Sequence, residues 1–132
     1  RQENGFIRHC HGDLHSGNIF VVATKPYIFD AIEFNLSIAC CDVASDVAFM
    51  VMDLEFNGKQ QLANKFLESY LQLTNDPEAE KLLTFYKCYR AIVRALVNGL
   101  RLQNSGQELE KQQAKELCLA YLQLAEKYSK GL

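Results

Sequence analysis

From Asp42 to Lys130 the apolar residues recur at steps of three and four, and a helical period kept up this long limits the chain to folds dominated by helices. In DVASDVAFMVMDLEF (Asp42–Phe56), Val43, Val47, Met50, Val51 and Leu54 hold the step while Ala44, Ala48 and Phe49 fill the gaps. This predicts a helix buried on most sides, with Gly58 at its end. A second helix is expected near Lys59–Leu73, carrying Leu62, Phe66, Tyr70 and Leu73 on one face. Asp76 can cap a third, with Pro77 in its first turn, running to about Gln103. Asn104-Ser105-Gly106 breaks it, and a fourth covers about Gln107–Lys130.

Ahead of this region the period is different. NIFVVA (Asn18–Ala23) and YIFDAIEF (Tyr27–Phe34) are β-branched and aromatic, with Thr24-Lys25-Pro26 as the turn of a β-hairpin. The expected class is α+β, mostly helical: a short hairpin followed by about four helices. The expected organisation is a single domain, 1–132, with a loop and hairpin in 1–36 and a helical part in 42–132.

Composition removes several classes of function. A net charge of −2 with scattered cations leaves no footprint for nucleic acid. No apolar run is long enough to cross a bilayer, and RQENGFIRHCHGD lacks the apolar core of a secretory signal. Five widely spaced cysteines, an odd number, do not make a disulfide framework and point to a reducing, cytoplasmic setting.

Chemistry-bearing residues concentrate in RHCHGDLHSGN (Arg8–Asn18). His9, Cys10, His11 and His15 are transition-metal ligands, and Cys40 and Cys41 could join from a distance. A structural zinc site, however, draws on two spaced pairs, and here three of the ligands are consecutive. Asp13 and Asn18 offer another chemistry. A kinase catalytic loop needs a carboxylate to take the proton of the attacking hydroxyl and, five residues later, an amide oxygen for magnesium. Asp13 and Asn18 have that spacing, and a strand follows at once.

HGDLHSGNI resembles the catalytic loop of the aminoglycoside phosphotransferase and choline kinase-like small-molecule kinases, which share the protein kinase-like fold. The resemblance implies ATP and Mg2+ as cofactors and a small-molecule hydroxyl as acceptor. It makes Asp13 the catalytic base, Asn18 a magnesium ligand, His11 a support of the loop and His15 a neighbour of the transferred phosphate. After the hairpin the family carries an acid in an Ile-Asp-Phe-like segment. In YIFDAIEFN, Glu33 has the matching neighbours Ile32 and Phe34 and is preferred, while Asp30 has the matching residue type and is the alternative. Along one regular strand the two would face opposite sides. CDVASDVAFMVMDL is similar to the family's Asp-x-x-x-Asp-Leu-Ala segment, which makes Asp42 or Asp46 a brace of the loop, with Asp42 also an N-cap.

The same resemblance covers the C-terminal lobe of such a kinase and nothing of the N-terminal nucleotide lobe, since no Gly-rich loop or strand lysine precedes His11. The start without Met favours a fragment over a free-standing remnant. The expectation is a catalytic lobe inactive by itself, with an apolar surface where the other lobe would sit and self-association through it. Two alternatives stand beside it: a non-catalytic, pseudokinase-like binding or scaffold module, and a metal-binding helical protein. Arg90, Arg94 and Arg101 fall near helical spacing, a pattern that fits a solvated face or an anionic pocket.

Overall fold

Where the helical period holds, the chain is helical. The computed structural model describes residues 1–132 and is α+β, 65% helical, with strands confined to the first third. In chain order the elements are β1 (Ile7–His9), a 3-10 turn (Ser16–Asn18), β2 (Ile19–Val22), β3 (Lys25–Ile28), α1 (Leu36–Ala39), β4 (Cys40–Asp42), α2 (Val43–Phe56), α3 (Gln60–Thr74), α4 (Pro77–Asn104) and α5 (Glu108–Ser129). The chain divides into two compact units, Arg1–Leu83 and Thr84–Leu132, and the division falls within α4.

In the first unit α2 is the core. Every residue from Ala44 to Leu54 is buried, including Ser45, Asp46 and Asp53. Its ends follow from local chemistry. The Asp42 carboxylate accepts the Ala44 N–H at 2.9 Å as N-cap, and Gly58 takes φ +71° just beyond Asn57. Asp76 caps α4 in the same way, accepting from Ala79 N–H at 3.2 Å. The Arg1 guanidinium joins the two caps. It donates to Asp42 at 2.7 and 2.6 Å and to Asp76 at 2.7 and 3.0 Å, and lies over the Phe6 ring. Burial raises the Asp42 pKa, but the bonds from Arg1 and Ala44 N–H outweigh it and hold the carboxyl below its usual range.

Two small sheets frame the loop. β1 pairs antiparallel with β4, Ile7 opposite Asp42 and His9 opposite Cys40, and Cys10 N–H continues the ladder to the Ala39 carbonyl. This pairing delivers the loop after His9 onto the start of α2. It has no periodic signature, because three residues are too few to show one. β2 and β3 form the hairpin, with Phe20 opposite Tyr27 and Val21 opposite Pro26. Its turn is Ala23-Thr24, at φ 47° and 72°, and not Thr24-Lys25-Pro26. A two-residue turn with both φ positive matches the strand twist, and Pro26 is carried into an edge strand where its missing N–H costs nothing. The second strand ends at Ile28 and not at Phe34, since Asp30 turns left-handed at φ 62°.

In the second unit α4 and α5 run antiparallel. The Lys87 ammonium lies over the Tyr128 ring, the Arg94 guanidinium lies over the Tyr121 ring, and Cys88 Sγ donates to the Ala125 carbonyl. No helix is long and apolar enough to cross a membrane.

Candidate active site

One face of α2 reads the loop in order. Asp46, Phe49 and Asp53 stand at i, i+3 and i+7, on a common stripe. Asp46 accepts the backbone N–H of His11 at 2.7 Å and of Gly12 at 3.0 Å. Phe49 receives the His15 ring, with centroids 5.4 Å apart. Asp53 accepts the Ser16 N–H at 2.9 Å. A loop folded against a core has no ladder to take up its N–H groups. Two buried carboxylates supply that need here through charge-assisted bonds.

Residue identity within the loop follows from these ties. Gly12 sits at φ +83°, and a Cβ there would meet Ile32 Cδ1 at 3.1 Å. Only glycine fits both constraints. The His11 ring is spent on structure: Nδ1 accepts from Asp13 N–H at 3.2 Å, so Nε2 carries the hydrogen and donates to the Phe29 carbonyl at 2.8 Å.

Asp13, His15 and Asn18 come together at the open side. Asn18 is 7% exposed, and its Nδ2 donates to both the Asp13 carbonyl, at 3.0 Å, and Asp13 Oδ2, at 3.1 Å. Those bonds fix the amide, and Asn18 Oδ1 accepts nothing from the chain. His15 Nδ1 accepts from Gly17 N–H at 3.1 Å, which leaves Nε2–H facing Asp13 Oδ2 at 3.4 Å. The Asp13 side chain keeps 39% of its surface in solvent. The chain thus presents an oriented, accessible carboxylate beside an amide oxygen without a protein partner.

The segment after the hairpin is stitched to the loop through its backbone. Phe29 N–H donates to the Asn18 carbonyl at 3.0 Å, and Ile32 N–H donates to the His11 carbonyl at 2.9 Å. Phe29 is therefore held by Asn18 and His11 together, and Asp30 is the next residue. Glu33 follows Ile32, which packs on Gly12. Both acids are exposed. They do not lie on one regular strand, so alternation does not assign their faces.

The zinc reading finds no ligand set. No three His, Cys, Asp or Glu side chains are grouped to hold a metal ion, and the Nδ1 atoms of His11 and His15 are already engaged. Burial, with the Asp46 charge nearby, pushes the Cys10 thiol up, away from the thiolate a metal would need. His9 is exposed on β1. Of the two acids expected near the loop, Asp46 makes the contact, while Asp42 caps α2 and pairs with Arg1. Asp53 was not foreseen. Its place two turns beyond Asp46, on the same stripe, is a signal the sequence does carry.

No family model matches the chain, and no solved structure matches it. Uncharacterised proteins of Mycobacterium tuberculosis and of Mycobacterium bovis are 35% identical to it over 120 residues, which is 91% of this chain and 24% of theirs. The chain spans about a quarter of the length of the curated relatives it matches.

Proposed function

We propose that His11–Asn18 is the phosphoryl-transfer loop of a small-molecule kinase of the aminoglycoside phosphotransferase and choline kinase-like family, with ATP as donor and a small-molecule hydroxyl as acceptor. The observation that carries this reading is the Asp13–Asn18 pair, in which one amide both orients the carboxylate and keeps its own oxygen unclaimed. As the acceptor oxygen attacks the γ-phosphorus, the bond to the bridging oxygen breaks and ADP leaves. The acceptor proton passes to the Asp13 carboxylate. His15, backed by Phe49, stands beside Asp13 with Nε2–H turned to the site. Asn18 Oδ1 and one acid after the hairpin would hold magnesium, which when bound neutralises phosphate charge. Asp30 suits that role better than Glu33, because Phe29 ties it next to Asn18. Its left-handed backbone, costly for a non-glycine residue, is strain of the kind found at such sites. A reducing, cytoplasmic setting agrees with five free thiols.

The test uses this chain with Mn2+ in place of Mg2+, with and without ATP, observed by NMR. The expected result is paramagnetic broadening of the Asn18 side-chain amide and the Asp30 backbone amide ahead of all other signals, lost in Asn18→Ala. Broadening centred on His9 and Cys40, or none at millimolar metal and nucleotide, would refute the reading. Among proteins that contain this chain, Asp13→Asn should abolish transfer while leaving the broadening intact. Unchanged transfer would remove Asp13 as the base.

A further inference from the structure

The second unit differs in charge from the first. Thr84–Leu132 carries eight Lys and Arg against four Glu, whereas Arg1–Leu83 carries six against twelve acids. Its cations gather on α4: Lys87, Arg90, Arg94 and Arg101 occur between Thr84 and Gln107, where there is no acidic residue. Such a stretch draws anions.

Within it Arg94 stands apart. Its side chain is partly buried, yet it makes no hydrogen bond and no ion pair with the chain, and its Nε is buried without a partner. Its guanidinium lies 5.6 Å from the centre of the Tyr121 ring, a contact that uses none of its five donors. An arginine kept for structure has those donors spent on carbonyls or carboxylates. One turn further on, Asn98 is fully buried and its Nδ2 donates to the Arg94 carbonyl at 2.9 Å. Arg101 folds back along the helix, as helical side chains do, and donates Nη1 to Asn98 Oδ1 at 3.4 Å. Arg94, Asn98 and Arg101 stand at i, i+4 and i+7, on one side of α4. Arg101 forms no ion pair either. Arg101 lines a hollow of about 210 Å3 with Asn104, Ser105 and Glu110, where the Glu110 carboxylate accepts the Ser105 hydroxyl at 2.7 Å.

We infer that Arg94 and Arg101, flanking the buried Asn98 on α4, form a binding site for an oxoanion, the phosphate or carboxylate group of a small molecule. The planar fork of a guanidinium matches either group. The site stands on the second unit alone and does not depend on the phosphoryl-transfer reading.

The arginine Nε–H signals of the intact chain test it without any substitution, because the buried Arg94 Nε–H is shielded from exchange with water. Sodium phosphate and sodium acetate are titrated separately at constant ionic strength. The expected result is a saturable shift of the Arg94 and Arg101 signals, with Arg8 on β1 unmoved. Saturation by phosphate alone assigns a phosphoryl ligand; saturation by acetate alone assigns a carboxylate; saturation by both assigns a general oxoanion site. Arg94→Gln should weaken the response at Arg101 at least tenfold, and Arg101→Gln replaces it if that variant fails to fold. No saturation by either salt, equal movement at Arg8, or a folded Arg94→Gln that saturates as the parent does overturns the inference.

Discussion

The loop His11–Asn18 and the hairpin Ile19–Ile28 are neighbours in sequence and opposites in burial. The loop is polar, yet Gly12 and Asn18 are buried and His11 and His15 are largely covered. The hairpin is apolar, yet Phe20, Val21, Val22, Tyr27 and Ile28 are 47–67% exposed. Hydropathy alone would sort them the other way. What differs is how each satisfies its backbone. The hairpin closes its own ladder and stacks Phe20 on Tyr27 at 5.3 Å, so its backbone needs no acceptor from the core. The loop has no ladder, and Asp46 and Asp53 supply acceptors from the core. Polar residues are drawn inward here by backbone N–H groups that must be paired.

The sharpest way to break this contrast is Asp46→Ala. It removes the acceptor of two buried N–H groups, and the expected loss is about 3–5 kcal/mol, read as a fall in the urea midpoint. Asp46→Asn keeps one oxygen and should lose less than half of that. A loss under about 1 kcal/mol for the alanine variant would mean that the loop does not depend on α2.

How much of this was legible depends on the range over which each signal acts. The bounds of α2, α3, α4 and α5 follow from local chemistry: apolar steps, Asp42 and Asp76 as caps, Pro77 in a first turn, Gly58 at an end. Each is within a residue or two of expectation. The β1–β4 pair was not legible, because it joins residues more than thirty positions apart through three residues on each side. The hairpin turn was misplaced because Ala23 and Thr24 are poor formers of left-handed turns, while Pro26 is a strong turn residue. In the candidate site, the spacing of Asp13 and Asn18 singled out the pair that the fold brings into contact. The preference for Glu33 over Asp30 rests on its neighbours Ile32 and Phe34, and the expectation that the two acids face opposite sides needs a regular strand, which the chain leaves after Ile28. The i, i+7 relation of Asp46 and Asp53 was present in the sequence but has meaning only once α2 is known to lie under the loop.

Gly12→Ala sharpens the loop side of the contrast with a smaller effect. The backbone at φ +83° opposes a Cβ, and Ile32 Cδ1 stands 3.1 Å from where it would be. The expected cost is about 2 kcal/mol in the same urea measurement. Because Ile32 also ties its N–H to His11, the strain should appear in exchange protection of the Ile32 amide. Full protection with an unchanged midpoint would show that the loop tolerates a side chain there.

The smallest effect is expected on the hairpin. Val21 is 67% exposed, and Thr keeps its shape and its β-branching. If the apolar face is solvated, Val21→Thr shifts stability by no more than about 0.5 kcal/mol. The shift should also be the same at every protein concentration. A loss above about 1 kcal/mol that grows with concentration would mean that a second copy covers the face in solution, which is the self-association an apolar strip of this kind invites. The contrast would then have another origin: the hairpin would be an interface, buried like the loop but by a partner, and its hydropathy would no longer be at odds with its place.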